Sequence, residues 1–184
     1  CDFVKTADAQ QHLPLSISVT AARDKDASVL NSSQSGGVFS ALAKSVIHEG
    51  GVVYGAAYDS DMTVSHKRSE TLEGCNAFRG SKYVQSEMGD VFLQVRNDLE
   101  AGRKVLFSGT PCQVAGLLSF VPSKLHSGLV TVDFICHGVP SPFVWRDYLD
   151  YMKRKGNLVS AVFRDKSAGG WKVHAESFGY DDGR

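Results

Sequence analysis

Apolar and polar positions fall into two rhythms along this chain. Nearly unbroken apolar runs at 52–58 (VVYGAAY) and 105–107 (VLF) end in glycine or polar turns, as strands buried on both faces do. Between and after them, apolar residues recur at three- and four-residue spacing, the mark of an amphipathic helix. One such stretch is 38–49, with Val38, Ala41, Leu42, Val46 and Ile47 on one face. Another is 87–101, with Met88, Val91, Phe92, Val95 and Leu99; a third is 143–154, with Val144, Tyr148, Leu149 and Met152. Residues 114–118 continue a further helix out of the turn before them.

Alternating or β-rich segments at 15–23, 63–69, 129–135 and 157–165 supply more strands. Asp59, Ser60 and Asp61 turn 52–58 back onto 63–69, and Gly169–Gly170 turns 157–165 back onto 171–178. Residues 24–34, 72–80 and 121–127 read as loops or connectors. Strands alternating with helices predict an α/β fold: a mixed, largely parallel sheet flanked by helices, with antiparallel hairpins at its edges. In such sheets ligands bind at the carboxyl ends of the strands.

Residues 1–14 show no period and form an entry segment, 15–156 the α/β domain, and 157–184 the start of a β-rich segment. The chain begins at Cys1 and stops inside a turn pattern at 180–184, as a piece of a longer protein would. With 20 basic and 20 acidic residues, the net charge of zero gives no basic surplus for nucleic acid and no acidic tail. No apolar run reaches the ~18 residues of a membrane span and nothing resembles a signal peptide, so a cytoplasmic location is expected.

The chemistry centres on Ser108-Gly109-Thr110-Pro111-Cys112-Gln113, where a strand passes through a turn straight into a helix. Backbone N–H groups at a helix N-terminus bind anions and stabilise a thiolate. A second unit of the same build follows 24 residues on, where 129–135 leads into Cys136-His137-Gly138. Both turns are expected at one edge of a parallel sheet. Cys1, Cys75, Cys112 and Cys136 form no CxxC pair, so neither a zinc ribbon nor a self-contained ferredoxin is encoded.

Four readings of Cys112 and Cys136 are open: buried structural thiols, ligands of a metal or cluster, redox or nucleophilic thiols with His137 as partner, or walls of a cofactor pocket. Any of Cys1, Cys75, Cys112 and Cys136 is a candidate metal ligand. His12, His48, His66, His126 and His174 are expected to face solvent.

Two further turns are candidate anion sites. Ser35-Gly36-Gly37 opens the 38–49 helix, which suits either a phosphate cradle or a simple serine cap. Gly80-Ser81-Lys82-Tyr83 offers one cation and one aromatic face to a phosphate-bearing aromatic ligand; as a surface loop it needs no ligand.

Taken together, SQSGGVFSAL (33–42), GVVYGA (51–56), RGSKYVQS (79–86), VLFSGTPCQ (105–113) and VDFICHGVPSP (132–142) resemble the coenzyme F420 hydrogenase/dehydrogenase beta-subunit family. FRDK (163–166) with Gly170-Trp171 adds a weaker match, and the resemblance covers about residues 15–178. It implies a flavoprotein that binds FAD and works with 4Fe-4S clusters. It passes electrons between those clusters, on a redox partner subunit or a ferredoxin, and a small-molecule acceptor such as a deazaflavin coenzyme. It also implies that 1–14 is a remnant of an upstream ferredoxin-like region and that 15–156 holds the flavin.

Carried over by residue, Ser35, Gly36 and Gly37 are implied as the phosphate cradle and Gly80, Ser81, Lys82 and Tyr83 as a flavin-contacting loop. Ser108, Gly109, Thr110, Pro111 and Gln113 with Gly138 line the cofactor side, and Cys112, Cys136 and His137 form the redox face. The flanking cluster cysteines of the family are absent from this sequence. Two other functions stay open: a repurposed module of the same fold tied to polysaccharide biosynthesis, and a cysteine-dependent transferase at Cys112. A homo-oligomer is equally open.

Overall fold

The computed structural model describes residues 18–170 and 173–184. Its central sheet has the order β2-β1-β3-β4, made of β1 (Val52–Tyr58), β2 (Val64–Ser69), β3 (Val105–Ser108) and β4 (Leu129–Val132). β1, β3 and β4 run parallel, with Tyr54 beside Phe107 and Phe107 beside Thr131, while β2 returns antiparallel against β1. The expected α/β fold with a largely parallel sheet and edge hairpins is the one observed.

Alternate side chains of the two apolar runs explain the layers. Val52, Tyr54, Val105 and Phe107 point to one face. There they pack against Val91, Val95 and Leu99 of α4 (Val91–Glu100) and Val114 and Leu117 of α5 (Pro111–Phe120). Val53 and Leu106 point to the other, against Ala43 and Val46 of α2 (Val38–His48) and against Cys75. Because both faces are covered, β1 and β3 contain almost no polar residue.

A second apolar cluster joins α6 (Pro142–Lys153) to the β1–β2 hairpin and to a separate antiparallel pair, β5 (Leu158–Phe163) and β6 (Glu176–Tyr180). Trp145, Leu149, Met62, Val64, Val84 and Phe163 meet there, and the Trp145 indole donates to the Met62 carbonyl at 2.7 Å. Trp145→Phe keeps the ring and leaves that carbonyl unpaired. The expected loss is about 1–3 kcal/mol, read from the urea midpoint at unchanged m-value.

Several elements differ from the sequence pattern, each for a physical reason. Residues 18–23 of the segment expected as a strand carry no regular structure, and 15–17 lie outside the described residues. The loop expected at 24–34 contains a short helix, α1 (Ala27–Asn31), capped by the Asp26 carboxylate on the Ser28 N–H. Likewise 72–80 contains α3 (Leu72–Cys75) and a 3-10 turn (Asn76–Phe78). A 3-10 turn (Ser123–Gly128) occupies most of the 121–127 loop.

α4 begins at Val91 rather than 87, because Gly89 sits at φ +48 and the 84–87 segment runs alongside β2 instead. β4 stops at Val132 because its partner β3 has turned away: the Gly109 N–H to Val132 carbonyl bond, 3.0 Å, is the last rung. Phe134 and Ile135 are therefore exposed instead of lying in a strand. The return strand of the last hairpin starts at Glu176, after a 3-10 turn (Lys166–Ala168); 173–175 carry no regular structure, and 171–172 lie outside the described residues.

Two helix faces are rotated from expectation. α2 buries Ala43 and Val46 while Val38 and Ala41 stay exposed, and α6 buries Trp145, Leu149 and Met152 while Val144 is exposed.

Candidate functional site

α2 passes through Gly50–Gly51 into β1, β3 through Ser108–Thr110 into α5, and α4 through a short turn into β3. Helices connected this way run against the strands. The N-termini of α2, α4 and α5 therefore lie toward the carboxyl edge of the sheet, where their unpaired N–H groups favour anions.

The first half of that edge is a knot of loops. Gly37 caps α2 with φ +78 and offers no side chain to its first turn, so those N–H groups stay free of a side-chain cap. Gly36 packs tightly: a Cβ there would lie 2.4 Å from the Ala22 carbonyl oxygen, and its own carbonyl accepts the Asp24 N–H at 2.7 Å. Three long-range bonds hold the loop. Arg79 donates to Ser32 Oγ at 3.0 Å, the Gln34 amide donates to the Phe163 carbonyl at 3.1 Å, and Lys166 Nζ donates to the Ser33 carbonyl. Ser81 forms a β-bridge with Phe163.

Three sequence blocks thus meet: 33–37, 79–83 and 163–166. Lys82 sits among them, its ammonium donating to the Arg79 carbonyl at 2.9 Å and lying 5.7 Å over the Tyr58 ring. Burial without a carboxylate partner pushes its pKa down to about 8. Tyr83 is exposed, with its ring edge-on to Phe163. Two hydroxyls flanking this knot are buried without a hydrogen-bond partner: Ser40 Oγ in the first turn of α2, and the Tyr58 phenol. A desolvated ammonium with no carboxylate partner, lying over the ring of a phenol whose hydroxyl is unpaired, suits an oxygen-rich anionic ligand.

The second half is the Ser108–Gln113 turn. Gln113 Oε1 accepts the Thr110 N–H at 2.9 Å, half of a capping box, and Thr110 Oγ1 lies 3.1 Å from Cys112 Sγ. Cys112 is exposed. A Cβ on Gly109 would meet Phe107 Cε1 at 2.9 Å and Gln113 Oε1 at 3.0 Å, so only glycine fits there.

His66 overturns one expectation. It is buried at 6% exposure, not solvent-facing, stacked on Phe107 with ring centroids 5.2 Å apart. Its Nε2 lies 3.0 Å from the Ser108 carbonyl and its Nδ1 2.9 Å from Ser86 Oγ, which in turn receives the Gln113 amide at 2.9 Å. Burial lowers its pKa, favouring the neutral ring. His126 is also drawn inward, its Nε2 2.9 Å from the Val121 carbonyl. The signal for His66 was the period-2 alternation of β2, which puts it on the buried side with Val64. Its partners Ser86 and Ser108 are too distant in sequence for that pattern to name.

The cysteines do not gather. Cys75 is buried in the α2-side apolar cluster, where desolvation raises its thiol pKa. Cys136 lies in the open 133–141 segment with the Gly138 N–H 3.4 Å from its sulfur, and His137 and Gly138 are exposed. Cys1 lies outside the described residues. Among the described residues no three His, Cys, Asp or Glu side chains converge, so those residues do not fit a complete cluster site. A concavity of about 510 Å³ between 58–62 and 157–161 is lined by none of the expected cofactor or cysteine residues.

No curated protein matches this chain. Residues 102–177 match the family described as the C terminus of the coenzyme F420 hydrogenase/dehydrogenase beta subunit. Among solved structures, a chain of the xenon-derivatised F420-reducing NiFe hydrogenase complex from Methanosarcina barkeri shares the fold, with TM-score 0.60 at 19% identity. The likeness takes in 88% of this chain and 56% of that one, so this chain spans little more than half of that relative's length. The matched stretch runs from the turn before β3 through the Cys112 and Cys136 turns to β6, over motifs that the sequence had already singled out. Residues 102–177 are thus similar to the C-terminal part of the coenzyme F420 hydrogenase/dehydrogenase beta subunit, and the fold is shared with that hydrogenase chain.

Proposed function

We propose that this chain is the flavin-holding part of a redox subunit: it binds FAD at the knot of 33–37, 79–83 and 163–166 and serves electron transfer to a small-molecule acceptor such as a deazaflavin. The observation that carries this reading is the joining of 33–37, 79–83 and 163–166 by long-range bonds, with the α2 N-terminus uncapped on one of these blocks and the desolvated Lys82 on another. Gly37 leaves the first turn of α2 without a side-chain cap, and Lys82 supplies the positive charge for a pyrophosphate. Tyr83 offers a free aromatic face.

FAD, when bound, exchanges a hydride with a small molecule and single electrons with iron–sulfur centres. Any 4Fe-4S cluster would need ligands beyond the described residues, on other segments or on a redox partner subunit or ferredoxin. No helix among the described residues is long and apolar enough to cross a membrane.

Lys82 gives the proposal a pH signature. Below about 8 its ammonium is charged and available to the pyrophosphate; as pH rises through 8 it loses the proton and the attraction. Bound anion raises that pKa, so FAD affinity is expected to fall by at most about tenfold per pH unit above pH 8. Fluorescence titration of FAD from pH 7 to 9.5 reads this directly. A flat affinity across that range would remove Lys82 from the pyrophosphate site.

A further inference from the structure

We propose that His66, acting through Ser86 and Gln113, is the positioning residue of the Cys112 turn: one neutral imidazole ties down both ends of Ser108–Gly109–Thr110 and so sets the exposure of the thiol that follows. Hydrogen-bond chemistry fixes every direction in the chain. The Ser108 carbonyl can only accept, so His66 Nε2 carries the proton and donates to it. A neutral ring with hydrogen on Nε2 has a bare Nδ1, so the Ser86 hydroxyl donates to His66. Ser86 Oγ, its proton committed, accepts from the Gln113 amide nitrogen. Gln113 Oε1 then accepts the Thr110 N–H. Because Ser108 and Thr110 are joined through Gly109, the bonds close a ring with no unmatched donor or acceptor in it.

The ring is braced, with His66, Ser86 and Gly109 buried and Ser108, Thr110 and Gln113 half-buried. Ser86 is 8% exposed, and the His66 N–H to Glu87 carbonyl and Glu87 N–H to Val64 carbonyl bonds, 2.9 and 2.8 Å, hold its segment alongside β2. The imidazole is clamped flat on Phe107. Gly109 has no room for a side chain between Phe107 and Gln113, so the turn rests against the same two residues that hold the ring. Polar networks that are fully satisfied and buried specify one geometry. Here the geometry specified is that of the first turn of α5, from which Cys112 projects.

The bearing of this device on flavin chemistry rests on the proposed function, but its test needs no flavin and fails separately. The test compares rates of Cys112 labelling by iodoacetamide, resolved by peptide mass spectrometry, with Cys136 as internal reference. Ser86→Ala removes both the donor to His66 and the acceptor for Gln113. With two hydrogen bonds lost, it is expected to speed Cys112 labelling by at least about fivefold, with Cys136 unchanged. Ser86→Thr, which keeps the hydroxyl, is expected to restore the wild-type rate.

A purely structural Ser86 would lower the melting temperature and leave the ratio of Cys112 to Cys136 labelling as in wild type, which would overturn the proposal. The wild-type protein supplies an arm that no folding defect can mask. Nitrogen-15 NMR of His66 is expected to show the neutral Nε2–H tautomer; an Nδ1–H tautomer would leave a bare Nε2 facing the Ser108 carbonyl, break the ring there and refute it.

Discussion

Replacing Phe107 by alanine is expected to lower the unfolding free energy by about 3–5 kcal/mol, the full cost of taking a large aromatic ring out of a packed core. Phe107 is fully buried in the middle strand of the parallel sheet, paired with Tyr54 on one side and Thr131 on the other. Its ring packs edge-on against Phe92 and flat against His66, and the surrounding cluster is built from β1, α4 and α5 at once. No single neighbour can move to fill the gap without leaving its own strand or helix. Denaturant unfolding checks the size, and the His66 ring offers a second readout. Without its stacking partner, His66 is more hydrated and its pKa, now held down by burial, should rise toward the ordinary value. Proton NMR titration of the His66 ring reads that shift.

Lys82→Met is expected to do the opposite: leave stability unchanged or raise it, and loosen FAD by about 10- to 150-fold, equivalent to about 1.5–3 kcal/mol for one charge-assisted contact. The physical ground is the depressed pKa. An ammonium pushed down to about 8 by burial, held by the Arg79 and Gly80 carbonyls and facing the Tyr58 ring, costs folding energy while it is charged. Methionine fills the same volume without that cost. A gain or no change in melting temperature together with lost binding marks a residue kept for a ligand rather than for the fold. A fall in both would make Lys82 structural.

How far the sequence could foretell this depended on the range of the interactions. β1 and β3 were legible because strands covered on both faces must be apolar throughout, and no other element in the chain has that pattern. α6 was legible as a helix, yet its inward face was not. Val144, Tyr148, Leu149 and Met152 make as good a stripe as Trp145, Leu149 and Met152; the two share Leu149 and Met152, and differ by Val144 and Tyr148 against Trp145. The choice is settled by the Met62 carbonyl and by β5, both distant in sequence. The end of β4 was misplaced because Phe134 and Ile135 have strand character, but β3 has no residue left to pair with them.

The candidate site divides the same way. The glycine turns at 36–37 and 109 and the lysine at 82 were visible as local chemistry, since their roles depend on backbone shape and charge. That 33–37, 79–83 and 163–166 touch one another was not visible, because Arg79–Ser32, Gln34–Phe163 and Lys166–Ser33 span from 47 to 133 residues. His66 was passed over for a related reason. In VSHKRS it stands among polar residues that suggest solvent, whereas β2 turns its side chain under the Ser108 turn.

The most direct test of the central claim is a flavin titration of the protein purified without oxygen and stripped of bound ligand, followed by its visible spectrum. One FAD per chain, with absorption near 450 nm retained after gel filtration and lost in Lys82→Met, is the predicted result. A folded protein that takes up no FAD at any pH between 6 and 8 would contradict it.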